Sequence, residues 1–282
     1  MIVVTGATGQ LGRLVIASLL KKVPAAQIIA AVRNVEKAAD LKALGVQVRQ
    51  ADYNQPESWD AALQGADKVL LISSSEIGQR VRQHQAVIDA AQRAGMKLLA
   101  YTSVLHADTS VLGLAGEHRE TEAAIKASGV PYVFLRHGWY TENYAMGIPT
   151  ALNLGAVYGC AGEGRIASAT RADYAAADAA VLTMEGQAGR VYELAGDTSY
   201  TLAEFAAEIA KQAGRAIHYV NLPQADYKQA LLGAGLAEPL AALLADSDAG
   251  VSKGALFDDG KQLSTLIGRA TTPLAEVVKA AL

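Results

Sequence analysis

Cysteine is almost missing from this chain: Cys160 is the only one in 282 residues. No internal disulfide can form, which fits a reducing cytosol, and no cysteine-rich metal site can be assembled. The five histidines form no zincin-type pair, so no metal is expected. Excess charge of one sign is lacking too. Twenty-five Lys and Arg against 28 Asp and Glu leave a net charge of −3 and a pI near 6.0, which gives no bulk electrostatic case for nucleic acid or an anionic membrane. No uncharged apolar run approaches the length of a membrane span. Met1 leads straight into an apolar run with no basic leader or cleavage site, so the expected protein is cytoplasmic, keeps its N-terminus and inserts into no membrane.

What is present points to an α/β enzyme. The chain is 51% hydrophobic with 26 glycines, long enough for a full dinucleotide domain and a smaller appended region. Residues Ile2, Val3 and Val4 form an apolar strand that runs into Gly6, Ala7, Thr8, Gly9, Gln10, Leu11 and Gly12, and then into an amphipathic helix. In this Gly-x-x-Gly-x-x-Gly spacing Gly6 takes a tight turn, Gly9 lets the backbone approach a pyrophosphate, and Gly12 lets the helix pack closely on the strand. The phosphates would sit on the helix N-terminus, where unpaired amides and the helix dipole attract anions. The helix is expected to bury a stripe of Leu11, Leu14, Val15, Ser18 and Leu19.

The apolar run Ile28–Val32 reads as a second buried parallel strand and ends in Arg33 and Asn34, where an NAD site would place a carboxylate against the ribose 2′-hydroxyl. Arg33 suits a 2′-phosphate, which its guanidinium can bind bidentately while stacking on adenine. NADPH is therefore expected, with NADH weaker.

Further strands are expected at Val46–Asp52, Lys68–Ser73, Lys97–Ser103 and Pro131–Arg136, with helices at about 36–44, 57–64, 80–94 and 116–128. Gly45, Gly95 and Gly129 each follow a helix, as αL terminators do. The alternation predicts a Rossmann-type doubly wound parallel sheet, with ligands at the carboxyl ends of its strands. Residues 1–148 read as the NADP-binding domain and 149–282 as a smaller substrate or lid subdomain, with a short strand at 191–194 open to returning to the main sheet. In that second half Thr201 and Glu204 form a capping box, and Thr272 before Pro273 is expected to cap the last helix.

The Gly6–Gly12 turn, Arg33, the segment Leu71–Glu76 and the stretch His137–Tyr144 together resemble the NmrA-like branch of atypical short-chain dehydrogenases/reductases along the whole chain. Within that branch the chain is most similar to the bacterial flavin-free NAD(P)H:quinone oxidoreductases and nearly as similar to the triphenylmethane dye reductases. Leu105–Ser110, Ala167–Tyr174 and Leu256–Asp259 carry the same likeness. The resemblance implies a two-domain NADPH reductase with its active site in the cleft between domains, taking a small aromatic acceptor such as a quinone and using neither flavin nor metal. It also implies nicotinamide contacts on His137, Gly138, Trp139, Tyr140, Thr141 and Glu142, and an Arg171 that reaches toward the cofactor.

One expected feature of ordinary short-chain reductases is missing. None of the 11 tyrosines begins a Tyr-x-x-x-Lys pair; the nearest case, Tyr132 with Arg136, lies within one strand and is too extended to act on one substrate atom. That weakens a ketone or alcohol dehydrogenase and suits a quinone, whose product oxygens are phenolic and need less help. Ile72, Ser73 and Ser74 end the fourth strand, where they can line the nicotinamide ribose, and Ser103 ends the fifth. Tyr140, Asn143 and Ser103 are the candidate catalytic residues, and Trp139, Tyr144 and His106 the candidate acceptor-binding ones, with subdomain packing the alternative for the aromatics. Arg171 has an alternative as a surface ion pair with Asp173, and His118 reads as an exposed helical histidine. Two other functions stay open, a reductase of triphenylmethane dyes or another conjugated acceptor and a non-catalytic NADP(H)-sensing regulator. The expected assembly is a monomer or homodimer.

Overall fold

The computed structural model describes residues 1–282, which divide into two compact units. The first takes Met1–Ala107, Gly116–His137 and Arg171–Glu193; the second takes Asp108–Ala115, Gly138–Thr170 and Leu194–Leu282. Along the chain, β1 (Ile2–Val4), α1 (Gln10–Leu19), β2 (Ile28–Val32), α2 (Ala39–Ala43), β3 (Gln47–Gln50), α3 (Ser58–Leu63), β4 (Lys68–Leu71), α4 (Arg80–Arg93), β5 (Leu98–Val104), α5 (Ala115–Ser128) and β6 (Tyr132–His137) alternate regularly. After α6 (Thr141–Ala145), α7 (Ile148–Leu154) and β7 (Ala156–Gly159) come α8 (Arg171–Thr183) and β8 (Arg190–Leu194). The chain then runs through α9 (Leu202–Ala213), β9 (His218–Asn221), α10 (Gln224–Gly233), α11 (Glu238–Val251), α12 (Gln262–Ile267) and α13 (Leu274–Ala281).

The main sheet has seven strands in the order β3-β2-β1-β4-β5-β6-β8, and β1 to β6 pair in parallel. The fold is therefore the α/β doubly wound sheet that the alternation predicts. Every residue of β1, β2 and β5 is buried, and since neighbours on a strand face opposite ways, both faces of the sheet are covered. The order reverses beside β1, between β2 and β4, which is where such sheets open a crevice at their carboxyl ends. Trp59, Tyr101 and Phe134 anchor the core over one face.

Gly45, Gly95 and Gly129 follow α2, α4 and α5 at φ +84, +63 and +72. Three local expectations need correcting. On α1, Gly12 and Ile16 are buried together with Leu11, Val15 and Leu19, whereas Leu14 and Ser18 are only half-buried: without a Cβ at Gly12 the helix rolls that side onto the strand. The stretch 36–44 splits into a 3-10 turn at Glu36–Ala38 and the short α2. The last helix starts at Leu274 with Pro273 in the capping position and no side-chain cap, so Thr272 lies one residue before the cap.

The second unit holds two strands that short apolar runs did not reveal, β7 and β9, paired in parallel from Ala156↔His218 to Gly159↔Asn221. Between them α9 opens on the expected capping box, with Glu204 N–H on Thr201 Oγ1 at 3.1 Å and Thr201 N–H on Glu204 Oε2 at 2.8 Å. No helix is long and apolar enough to cross a membrane.

Candidate functional site

The glycine turn is held by its own backbone. Gly6 sits at φ +57, a left-handed conformation that a Cβ would strain. A Cβ on Gly12 would lie 2.5 Å from the Gly6 carbonyl oxygen and 2.8 Å from Ala7 Cα; one on Gly9 would lie 3.1 Å from the same oxygen. With Gly9 as its N-cap, α1 carries no side-chain capping bond, so no side chain competes for its first-turn amides.

Gly6, Thr8, Gly9, Arg33, Ile72, Ser73 and Ser74 come together as parts of one cavity of about 600 Å³ in the first unit. Ala7, Gln10, Leu11 and Gly12 shape the turn without lining it, and Ala7 and Leu11 are buried. The floor is tied together by Tyr53, which sequence reasoning missed. Its hydroxyl donates to the Ile72 carbonyl at 2.7 Å and accepts from Thr5 Oγ1 at 2.7 Å, while Ile72 N–H donates to Thr5 Oγ1 at 2.9 Å. The Tyr53 ring stacks on Trp59 at 5.4 Å, and burial pushes its phenol pKa up, so it stays a neutral donor. Asp52, Asn54, Gln83, Arg13 and Lys37 line the cavity as well. Asp52–Asn54 follow the third strand, and the rule that ligands gather at strand carboxyl ends was the signal that would have found them. Arg13 is engaged by Asp40 and by the carbonyls of Thr8 and Lys37.

The loop after β4 is fixed from beneath. Ser73 N–H donates to Thr102 Oγ1 at 2.9 Å, and Ser74 N–H donates to Nε2 of the buried His84 at 2.9 Å. Burial and the nearby Arg80 push the His84 pKa down to about 3, so the ring stays neutral; Nε2 accepts, which leaves the proton on Nδ1 facing Thr121 Oγ1 at 3.0 Å.

Ser103, at the end of β5, donates its hydroxyl proton to Glu122 Oε1 at 2.7 Å. Glu122 is gripped by Arg136 through Nε at 2.9 Å and Nη2 at 2.8 Å, and Arg136 Nη1 reaches Glu193 Oε1 at 2.8 Å. Burial works against the Arg136 charge, but the bonds to Glu122 and Glu193 outweigh it and hold its pKa above the usual value. His106, at φ +51, donates its backbone N–H to Glu193 Oε2 at 2.8 Å, with its imidazole 3.6 Å from the same oxygen. His137 ends β6 buried, with Nε2 on Asp178 Oδ1 at 2.8 Å and its ring stacked on Tyr174 at 4.6 Å. Arg171 opens α8 in this same unit. His118 is not the exposed helical residue the sequence indicated. It is 4% exposed and meets the Tyr101 hydroxyl through Nδ1 at 2.7 Å, because it lies on the sheet-facing side of α5, where β5 supplies a buried polar partner.

Gly138, Trp139, Tyr140, Thr141, Glu142, Asn143 and Tyr144 belong to the second unit. There Ala169 N–H donates to the Trp139 carbonyl at 3.1 Å and Thr141 N–H donates to the Ala169 carbonyl at 2.9 Å, so the segment runs like a short strand before α6. Thr141 Oγ1 meets Ser168 Oγ at 2.8 Å, which meets the Tyr200 hydroxyl at 2.7 Å. Tyr144 packs against Tyr200 and Phe205 with ring centroids 6.4 and 6.1 Å away, and burial raises its pKa well above the usual phenol value.

Against known proteins, the NAD(P)H-binding family matches residues 6–185. Quinone oxidoreductase 2 of Escherichia coli is 59% identical over 99% of this chain and 97% of its own length. The crystal structure of the NADPH-dependent quinone oxidoreductase from Escherichia coli complexed with NADPH superposes with a TM-score of 0.98 at 58% identity, covering 99% of both chains. The Citrobacter sp. triphenylmethane reductase complexed with NADP(H) superposes with a TM-score of 0.96 at 43% identity, covering 100% of both.

Proposed function

We propose that this chain, which belongs to the NAD(P)H-binding family, is an NADPH-dependent, flavin-free reductase that transfers hydride to a quinone. The observation that carries the reading is the 59% identity to the Escherichia coli quinone oxidoreductase over nearly the whole of both chains, joined to a glycine-turn cavity at the point where the strand order reverses. The site fits a dinucleotide: Gly6, Gly9 and Gly12 leave a cradle that Cβ atoms would fill, above a helix whose first amides carry no side-chain cap. When bound, NADPH supplies the hydride. The chain's own part is to bind pyrophosphate on the α1 amides, to hold the 2′-phosphate with Arg33, and to line the ribose with Ile72, Ser73 and Ser74. His137 to Glu142 and Arg171 are assigned to the nicotinamide end.

The proposed catalytic groups are Tyr140, Asn143 and Ser103, with Trp139, Tyr144 and His106 against the acceptor. Asn143 can donate to a quinone oxygen as charge develops on it. Ser103, with its proton on Glu122, contributes its oxygen as an acceptor. Burial pushes the Tyr53, Tyr101, Tyr144 and Tyr200 phenols up, the reverse of what a carbonyl reductase asks of its tyrosine. A quinone is a strong acceptor with phenolic product oxygens, so holding the acceptor against the cofactor is the main demand on the protein.

The test is to mix purified protein with NADPH and a panel of quinones and triphenylmethane dyes and to follow the reduced-nicotinamide absorbance. Oxidation with quinones is expected, weaker with NADH, from a colourless protein that a chelator does not inhibit. Turnover with dyes alone would move the function to dye reduction, the second reading that the 43% identity to the Citrobacter enzyme supports. Binding of NADPH without any turnover would make the chain a sensor.

A further inference from the structure

Arg33, 70% exposed at the end of β2, has its Nη1 3.8 Å from Oε1 of Glu76 on the loop after β4, and both residues line the cavity that contains the glycine turn. An exposed ion pair ordinarily contributes little, because ordering two long side chains cancels most of the attraction. Here one partner is already ordered. The second Glu76 oxygen accepts a 2.7 Å hydrogen bond from Nε2 of Gln83, a side chain wholly buried on α4. The Glu76 N–H donates to Ser74 Oγ at 3.1 Å, and that hydroxyl donates to Gln83 Oε1. The carboxylate is thus fixed where it faces the guanidinium, and its attraction for Arg33 is not consumed in ordering itself.

We propose that Glu76 is a specificity-determining residue at the adenosine end of the cavity, an internal competitor that occupies Arg33 until a ribose 2′-phosphate displaces it. This rests on the cavity being the NADPH site. A 2′-phosphate must break the Glu76 contact to reach Arg33, whereas a ligand with a 2′-hydroxyl need not. Glu76 therefore narrows the preference for phosphorylated dinucleotides and loosens the grip on oxidised product, which carries the same phosphate. Gln83 is a positioning residue for it.

Calorimetric titration with 2′,5′-ADP and with 5′-AMP, which differ only in the 2′-phosphate, tests this without any acceptor. Glu76→Gln keeps an oxygen for the Gln83 amide and removes only the charge. It should bind 2′,5′-ADP about fivefold more tightly, the upper range of one exposed ion pair, and leave 5′-AMP within about twofold. In an Arg33→Met background the same change should have an effect of less than about twofold. Equal changes for the two nucleotides would make Glu76 a strap over adenine and overturn the proposal. So would no change, weaker 2′,5′-ADP, or the full gain persisting without Arg33. A wild-type protein that binds neither nucleotide overturns the cofactor reading and this proposal with it; the other outcomes leave the cofactor reading standing.

Discussion

The glycine turn after β1 and the Trp139–Tyr144 segment after β6 both lie where the chain leaves a strand, yet different forces hold them. The turn is set by backbone: a positive φ at Gly6, missing Cβ atoms at Gly9 and Gly12, and helix amides without a side-chain cap. The segment is set by distant partners: Ala169 along its backbone, Ser168 and Tyr200 on the Thr141 hydroxyl, and Tyr200 and Phe205 around the Tyr144 ring. Backbone-held geometry tolerates almost any side chain at the positions in between, whereas partner-held geometry fails when one partner is lost. The Ser103–Glu122–Arg136–Glu193 cluster is the extreme of the second kind.

The largest expected effect is there. Arg136→Met leaves two carboxylates without their cation, one of them buried, and should cost about 3 to 5 kcal/mol in urea unfolding. A loss below about 1 kcal/mol would show that surrounding groups or solvent replace the cation, and would weaken the contrast with the turn.

Asp248, buried with Oδ2 accepting the Cys160 N–H at 3.1 Å, is pushed by desolvation from 3.8 to about 6, which corresponds to about 3 kcal/mol at most. The sign follows from the raised folded value. The fold holds the proton more tightly than the unfolded chain, so this group's contribution is highest below pH 4 and is lost as pH rises toward 6. The stability of Asp248→Asn relative to wild type should therefore be greater at pH 7 than at pH 4. An equal difference at the two pH values would remove Asp248 from the pH dependence.

Arg33→Asp should leave folding intact and weaken NADPH by about 1.5 to 3 kcal/mol through loss of a charge-assisted contact, with NADH much less affected. Unchanged NADPH affinity would make Arg33 a bystander. Gly12→Ala should cost about 1 to 3 kcal/mol, because its Cβ meets fixed backbone and not a side chain that can move. A neutral substitution would show that the turn has slack and that the backbone account is too strict.

The smallest stability effect is expected at Asn143, which is half-buried. If it faces the acceptor, Asn143→Ala should lower kcat/KM for a quinone while the melting temperature and NADPH affinity hold. Unchanged turnover in a well-folded variant would take this position out of the site.

The sequence alone determined the alternation of strands and helices, the αL glycines and the phosphate-type turn, whereas the strand order, with β1 paired to a β4 that begins 66 residues on, came from the fold. Each of the first three is written within a few neighbouring residues: φ, Cβ sterics and hydrophobic period act over one turn or one strand. Arg33 was legible for the same reason, as the first polar residue after a buried strand. The tertiary structure decided what the sequence could not. Arg136 meets Glu193 from 57 positions away, His84 meets Thr121 from 37, and Tyr53 reaches Thr5 from 48. No local pattern records such pairings, because a buried polar group is identified only by the partner that satisfies it. His118 and Tyr53, read from sequence as surface or passed over, became buried hydrogen-bonding groups once the fold brought Tyr101 and Thr5 beside them.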